Sequence, residues 1–358
     1  MIISQTPFRI SFFGGGTDYP TWCKEQGGAV LSTSINKYGY ITCRQLPPFF
    51  EHKHRIVYSK IETINDISKI DHPAVRAVFQ ELGIEEGLEI HYDGDLPARS
   101  GIGSSSSFTV GLLNSLYALR GQMMSKQQLA DLAIHIEQNV IGEAVGSQDQ
   151  IAAAFGGLNR IEFHPDGTFN VKPVIVPAWR TQQLNERLML FFTGFSRIAA
   201  NVAKSQIANF NKKADHLHAM YKMVDEAQSI LQNTSEDLTD FGKLLHEGWR
   251  RKKELSEQVS TTAIDEIYEQ GIKAGAVGGK ILGAGGGGFV LFYVSPENQP
   301  SVRKALAHLL EVEFKFENGG SQIIHYNPGA AIYRGSRGRT WGPHPSEQSY
   351  VRVDRASN

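Results

Sequence analysis

Residues 96–113 read Leu-Pro-Ala-Arg-Ser-Gly-Ile-Gly-Ser-Ser-Ser-Ser-Phe-Thr-Val-Gly-Leu-Leu, a loop of small residues that passes directly into apolar residues at helical spacing. Gly101 and Gly103 can adopt positive φ and admit a ligand close to the main chain. The unpaired N–H groups at the start of the following helix supply donors and partial positive charge. An anionic phosphate is the natural occupant of such a loop. Ser104, Ser105, Ser106 and Ser107 add hydroxyls that can cap the helix, bond phosphate oxygens or ligate magnesium. The same serines would also cap a helix that binds nothing, so the loop alone leaves both readings open and its surroundings decide.

With 358 residues the chain exceeds the size that one core usually serves, and two domains are expected. Its 36 basic and 37 acidic side chains nearly cancel, which gives no electrostatic footprint for nucleic acid or an anionic membrane. The only cysteines, Cys23 and Cys43, form neither a disulfide framework nor a metal-ligand spacing, and a reducing cytoplasm is the expected compartment. Residues 1–13 have no basic segment followed by an apolar run, and the longest apolar runs, such as Phe289–Val294, are strand-sized. Neither export nor a membrane span is expected.

Outward from the serine loop, Phe8–Phe13 reads as a strand opening into Gly14-Gly15-Gly16-Thr17-Asp18-Tyr19, and residues 28–42 as further strands. Val75–Leu82 has helical spacing, and Leu88–Tyr92 is a strand leading into the loop. Phe108, Leu112, Leu113 and Leu116 make one helical stripe; Leu129, Leu132, Ala133, Ile136 and Val140 make a second. Ser147 is placed to cap a short helix through Ala154. The composition changes near residue 180, where the domain boundary is set. Residues 198–255 are mostly helical and charged. Strands at Lys280–Leu282 and Phe289–Val294 flank a glycine loop, and a helix over Val302–Leu310 and a strand over Ile323–Tyr326 follow. Residues 335–358, polar and without periodicity, read as a loose tail.

Gly283-Ala284-Gly285-Gly286-Gly287-Gly288 formally satisfies a dinucleotide fingerprint, but a strand follows it where a helix is needed, which rejects a nicotinamide site. The loop is either a structural hairpin or a segment lying against a ligand or the serine loop. Residues 275–281 fail the nucleotide P-loop pattern, with Ala274 at the first glycine position and Ile281 in place of Ser/Thr. Glu137 lies beside an apolar stripe and Asp149 opens a small-residue segment. Separately each reads as a boundary or helix-start carboxylate. Together with one serine they would meet the needs of phosphoryl transfer, a magnesium ligand plus a carboxylate near the acceptor hydroxyl. Arg9 interrupts an apolar strand and either snorkels to the surface or aims its guanidinium at a phosphoryl group or acidic base. Asp18 either forms a turn or accepts hydrogen bonds from sugar hydroxyls. His52/His54 and His216/His218 lack partner ligands and read as solvated, not as a zinc site.

Three segments, in order, resemble the motifs of the GHMP kinases, the superfamily of galactokinase, homoserine kinase, mevalonate kinase and phosphomevalonate kinase: residues 7–19, the 97–107 loop and the 280–288 loop. The resemblance spans roughly residues 1–330. Within it the chain is most similar to the D-glycero-D-manno-heptose 7-phosphate kinases, through Gly-Gly-Gly-Thr-Asp at 14–18, Gln-Asp-Gln-Ile-Ala-Ala-Ala-Phe-Gly-Gly-Leu-Asn at 148–159 and Trp-Arg-x-Lys-Lys at 249–253. Galactokinases carry Glu-His where Gly15 and Gly16 stand, which weakens a galactose reading.

The resemblance implies an α+β, two-domain fold with a GHMP kinase N-terminal domain over 1–180, a ferredoxin-like C-terminal domain over 181–334, and the active site between them. It implies ATP and Mg²⁺, with Ser105 and Glu137 as metal ligands, Asp149 facing the acceptor hydroxyl and Arg9 orienting it. Pro97, Ser100, Gly101, Ile102, Gly103, Ser104, Ser105 and Ser106 would wrap the ATP phosphates. Gly15, Gly16, Thr17 and Asp18, with Gly285 and Gly286 of the bracing loop, would serve the substrate. Relatives carry alanine or threonine at Ser106 and Ser107, so the metal-binding hydroxyl is defined only to within one position.

The expected function is a sugar 1-kinase acting on a heptose 7-phosphate. A substrate phosphate would need cations, for which Arg197, Lys204, Arg250, Lys252 and Lys253 are candidates against a solvated-helix reading of each. The alternatives are a fucokinase- or galactokinase-like kinase of a free sugar, and a non-catalytic sugar- and ATP-binding sensor. The oligomeric state, a homodimer included, is left open.

Overall fold

The computed structural model describes residues 1–195 and 199–329. Arg197 and the 335–358 segment lie outside the described residues.

The chain begins with strand β1 (Ile2–Phe13), helix α1 (Pro20–Gln26) and strand β2 (Gly28–Gln45), followed by β3 (His54–Val57), β4 (Ile61–Ile64), α2 (Pro73–Glu81) and β5 (Leu88–Gly94). The serine loop then enters α3 (Ser104–Leu119). After it come α4 (Lys126–His135), a single π-helical turn over Ile136–Val140, α5 (Gln148–Phe155), β6 (Leu158–Phe163) and β7 (Phe169–Pro173). Residues 28–42, expected as several strands, form one continuous strand that pairs antiparallel with β1 along almost its whole length. β2 pairs with β6 through residues 28–33 and with β5 through residues 39–45, so one long strand organises the sheet.

The second region contains α6 (Ala178–Glu186), β8 (Leu188–Phe192), α7 (Ala199–Ile207), α8 (Ala214–Gln232), α9 (Thr239–Lys253), α10 (Thr262–Lys273), β9 (Gly278–Ile281), β10 (Phe289–Tyr293), α11 (Gln299–Ala305) and β11 (Leu310–Glu311). Its strands lie in the order β11-β8-β10-β9, all antiparallel. With helices between β8 and β9 and between β10 and β11, this is the β-α-β-β-α-β arrangement of ferredoxin-like domains. The helix expected over 302–310 stops at Ala305, and Leu310 already belongs to a strand.

The late strand, β13 (Gln322–Tyr326), is present but not in the second sheet. It pairs with β1, and the preceding β12 (Phe316–Glu317) pairs with β2, so the chain returns to the first sheet.

Two of the four buried clusters explain how the site is placed. α3 is buried on nearly all sides, as its almost wholly apolar and small-residue surface requires, and Val110, Leu112, Leu113 and Leu116 pack with residues of α2, α4, α5 and β5. Phe8, Ile10 and Phe12 point from the other face of β1 into a second core with Leu188, Leu190, Leu282, Phe289 and Leu291. The two-residue period of a strand therefore turns Arg9 and Ser11 together away from that core.

Candidate active site

Where the two regions meet, a cavity of 1050 Å³ is lined by Arg9, Ser11, Gly15, Gly16, Asp18, the serine loop, Glu137, residues 148–150, Lys252 and Lys280. Gly103 occupies the cap position of α3 with φ 75°, and Gly101 has φ 81°. The first-turn N–H groups that follow have no helical acceptor and open a donor-rich end onto the cavity. The Gly283–Gly288 loop braces this cradle main chain to main chain. Phe289 N–H donates to Ser100 O at 3.2 Å, and a Cβ on Gly101 would stand 2.5 Å from Leu282 O.

Three consecutive residues at the start of α5 reach three different groups. The Gln148 amide donates to Asp18 Oδ2 at 3.0 Å. Asp149 accepts two bonds from Arg9, Nε to Oδ1 at 2.7 Å and Nη2 to Oδ2 at 2.8 Å, while Arg9 Nη1 donates to Gly101 O at 2.6 Å. Gln150 Nε2 donates to Glu137 Oε2 at 2.5 Å. Arg9 is buried, but the Asp149 side chain keeps 27% exposure, so the arginine fixes the carboxylate without closing it off from a ligand.

Glu137 sits on the π-helical turn, not on the regular helix its spacing suggests. Such turns insert one residue and re-aim the side chains that follow, and they recur at functional sites. Burial pushes the Glu137 carboxyl up to about 7. Ser106 Oγ donates to Glu137 Oε2 at 2.9 Å, while Glu137 Oε1 is buried with no partner among the described residues. A hydroxyl and a carboxylate with one unsatisfied oxygen, lining the same cavity as the phosphate cradle, suit Mg²⁺, which takes few protein ligands when phosphates supply the others. Of the two neighbouring serines in the cavity wall, Ser105 is exposed, whereas Ser106 is buried and is the one whose hydroxyl bonds Glu137.

Further expected residues are placed elsewhere. Thr17 turns inward and donates to Gly14 O at 2.8 Å, so its hydroxyl serves the glycine turn. Gly285 and Gly286 lie against Val259, with Gly286 N–H donating to Val259 O at 2.8 Å, and neither is in the cavity wall. Ile102 is a core side chain, and Ser100 Oγ donates to Pro97 O at 2.6 Å; these two shape the loop from behind. Pro97, Gly101, Gly103, Ser104, Ser105, Ser106, Gly15, Gly16 and Asp18 do line the cavity. Ser147 precedes α5 without capping it by its side chain, which accepts from Gln138 Nε2 instead.

Of the described candidates for a phosphate partner, Lys204 is exposed, Arg250 pairs with Glu247 and Lys253 pairs with Asp265. Lys252 alone turns into the cavity, where burial and the nearby Arg9 lower its ammonium to about 8. Lys280 was not recognised in the sequence. Its ammonium donates to Ser11 O at 2.8 Å and Phe12 O at 2.7 Å, and burial pulls it well below the usual lysine range. The available signal was a single charge beside the apolar Ile281-Leu282 of a strand. Burial also raises the Asp18 carboxyl, opposed by the Gly16 N–H at 2.9 Å.

The family model of the GHMP kinases N terminal domain matches residues 67–157, and that of the GHMP kinases C terminal matches residues 223–311. A D-glycero-alpha-D-manno-heptose 7-phosphate kinase of Campylobacter jejuni is 31% identical over 319 residues, covering 85% of this chain and 93% of that protein. A bifunctional fucokinase/GDP-fucose pyrophosphorylase of Arabidopsis thaliana is 26% identical over 88% of this chain and 32% of its own length. The crystal structure of a D-glycero-D-manno-heptose 1-phosphate kinase from Bacteroides thetaiotaomicron superposes with TM-score 0.74 at 24% identity, covering 91% of this chain and 99% of that one, a likeness of fold. The chain belongs to the GHMP kinase family and is a phosphotransferase. Among the described residues no helix is long and apolar enough to cross a membrane.

Proposed function

We propose that the protein transfers the γ-phosphoryl group of ATP to the anomeric hydroxyl of D-glycero-D-manno-heptose 7-phosphate, giving the 1,7-bisphosphate and ADP. The observation that carries this reading is the bidentate clasp of Arg9 on Asp149, set between the α3 phosphate cradle and the Asp18–Gln148 pair. The similarity to the Campylobacter jejuni heptose 7-phosphate kinase supports the choice of acceptor.

In this reading the α3 N–H groups and the hydroxyls of Ser104 and Ser105 hold phosphate oxygens. Ser106 and Glu137 would hold Mg²⁺, which neutralises phosphate charge when bound. Asp149 accepts the hydrogen bond of the acceptor hydroxyl and aims its oxygen at the γ-phosphorus. As the new P–O bond forms and the bond to the β,γ-bridging oxygen breaks, the hydroxyl proton leaves through the Asp149 carboxylate. Arg9 holds that carboxylate in place and offsets charge on the transferring group.

The test is ADP release with ATP and Mg²⁺ on heptose 7-phosphate, mannose, L-fucose and galactose, with ³¹P NMR of the product. Turnover confined to the heptose 7-phosphate, with a new anomeric phosphate resonance, is expected. Faster turnover of a free sugar would transfer the assignment to a free-sugar kinase, and ADP release with none of them would favour a sensor.

A further inference from the structure

Gly15 lines this cavity beside three polar side chains. A Cβ placed on it would stand 3.7 Å from Gln148 Nε2, 3.8 Å from Ser11 Oγ and 3.9 Å from Lys252 Nζ. Ser11 Oγ at this spot, and Oε1 of the same Gln148 amide, are buried with no hydrogen-bond partner among the described residues. The Lys252 side chain is buried, and its ammonium has one protein acceptor, Gly283 O, leaving two N–H donors. Lys280 differs, because it spends two donors on the Ser11 and Phe12 carbonyls. A buried ammonium and two orphaned oxygens around one small space make an unfinished hydrogen-bond set, which is costly unless a ligand completes it.

We infer that Lys252, Ser11 and Gln148 form a recognition point for one hydroxyl of the acceptor, kept open by the missing side chain of Gly15. A hydroxyl is both donor and acceptor, so its oxygen accepts from Lys252 Nζ and its proton goes to Gln148 Oε1 or Ser11 Oγ. A phosphate group suits the place less well. Gln148 is bonded to the Asp18 carboxylate, and a dianion would be held beside that charge. Lys252 is thus a specificity-determining residue of the acceptor site, and Gly15 is its steric complement.

The inference rests on the assignment of a sugar acceptor, and its test separates the two. Steady-state kinetics are measured on whichever sugar of the panel the wild-type protein turns over, for Gly15→Ala, Lys252→Met and Ser11→Ala. The 3.7–3.9 Å contacts of the added methyl are ordinary van der Waals distances, so Gly15→Ala folds without a clash. An acceptor KM raised about tenfold or more in Gly15→Ala and Lys252→Met, with the KM for ATP within about twofold of wild type, is expected for the loss of one such contact. The decisive readout is a series of monodeoxy acceptors: wild type discriminates against one of them, and Lys252→Met loses that discrimination. Unchanged acceptor KM in both variants, or equal loss of ATP and acceptor affinity, would overturn the inference even if the sugar is the heptose 7-phosphate. Turnover of a different sugar would overturn only the choice of acceptor.

Discussion

Asp149 depends on Arg9 for its direction and on α5 for its place. Replacing Asp149 by Asn keeps its size but removes the charge that would receive the acceptor hydroxyl in the proposed reaction, and kcat is expected to fall by about 10²–10⁴-fold with ATP affinity unchanged. Titration of the variant with a non-hydrolysable ATP analogue checks the second half. Glu137 supplies a pH dependence. Its unfolded carboxyl releases a proton near 4.5 and its folded one near 7, so the folded state holds the proton more tightly. The resulting stability is present at low pH and is lost as pH rises from about 4.5 to 7, a difference on the order of 3 kcal/mol. Above pH 7 a Mg²⁺ held by Glu137, as proposed, would compensate the buried charge. Thermal denaturation with and without Mg²⁺ is expected to show a larger stabilisation at pH 8 than at pH 6, and Glu137→Gln should flatten that difference.

At the scale of elements, the site is made by the ends of α3 and α5, the π-helical turn and one face of β1. Gly101 joins the serine loop to the bracing loop, with φ 81° and no room for a Cβ beside Leu282 O. Gly101→Ala is expected to cost about 1–3 kcal/mol from backbone strain and steric conflict and to raise the KM for ATP, as denaturant midpoints and kinetics would show. Arg180 of α6 offers a control far from the chemistry. Its buried guanidinium donates to Ile230 O at 2.9 Å, Asn233 O at 2.8 Å and Glu236 O at 2.8 Å, closing the carbonyl end of α8. Arg180→Ala leaves those carbonyls unpaired and should lower the urea-derived stability by about 3 kcal/mol, with the KM values little changed.

Across the whole molecule, each sheet has a core on its outer face, but the two sheets share a third core between them. Phe8, Ile10 and Phe12 of the first sheet share a core with Leu188, Leu190 and Leu291 of the second, and β12 and β13 bring the chain back to the first sheet. Calorimetry is therefore expected to show one cooperative transition. Leu190→Ala, which empties a fully buried position, should move that single transition down by about 3–5 kcal/mol in stability. Two separate transitions, only one of them shifted, would contradict a shared core.

Local rules settled much of this protein in advance. Gly101, Gly103 and the four serines announced a donor-rich helix start because backbone freedom and unpaired N–H groups depend only on near neighbours in the chain. The strands around Gly283–Gly288 and the helices at α3 and α4 were legible for similar reasons, whereas the pairing of Arg9 with Asp149, 140 positions apart, was implied only by the resemblance to the GHMP kinases. Tertiary structure decided which hydroxyl meets Glu137, because a π-helical turn shifts the direction in which that carboxylate points. It also decided that Thr17 and Gly286 turn away from the cavity, that Lys252 and Lys280 turn into it, and that β13 joins β1. Those outcomes depend on contacts between residues tens to hundreds of positions apart, where burial and pairing across the fold override anything a short window of residues can express.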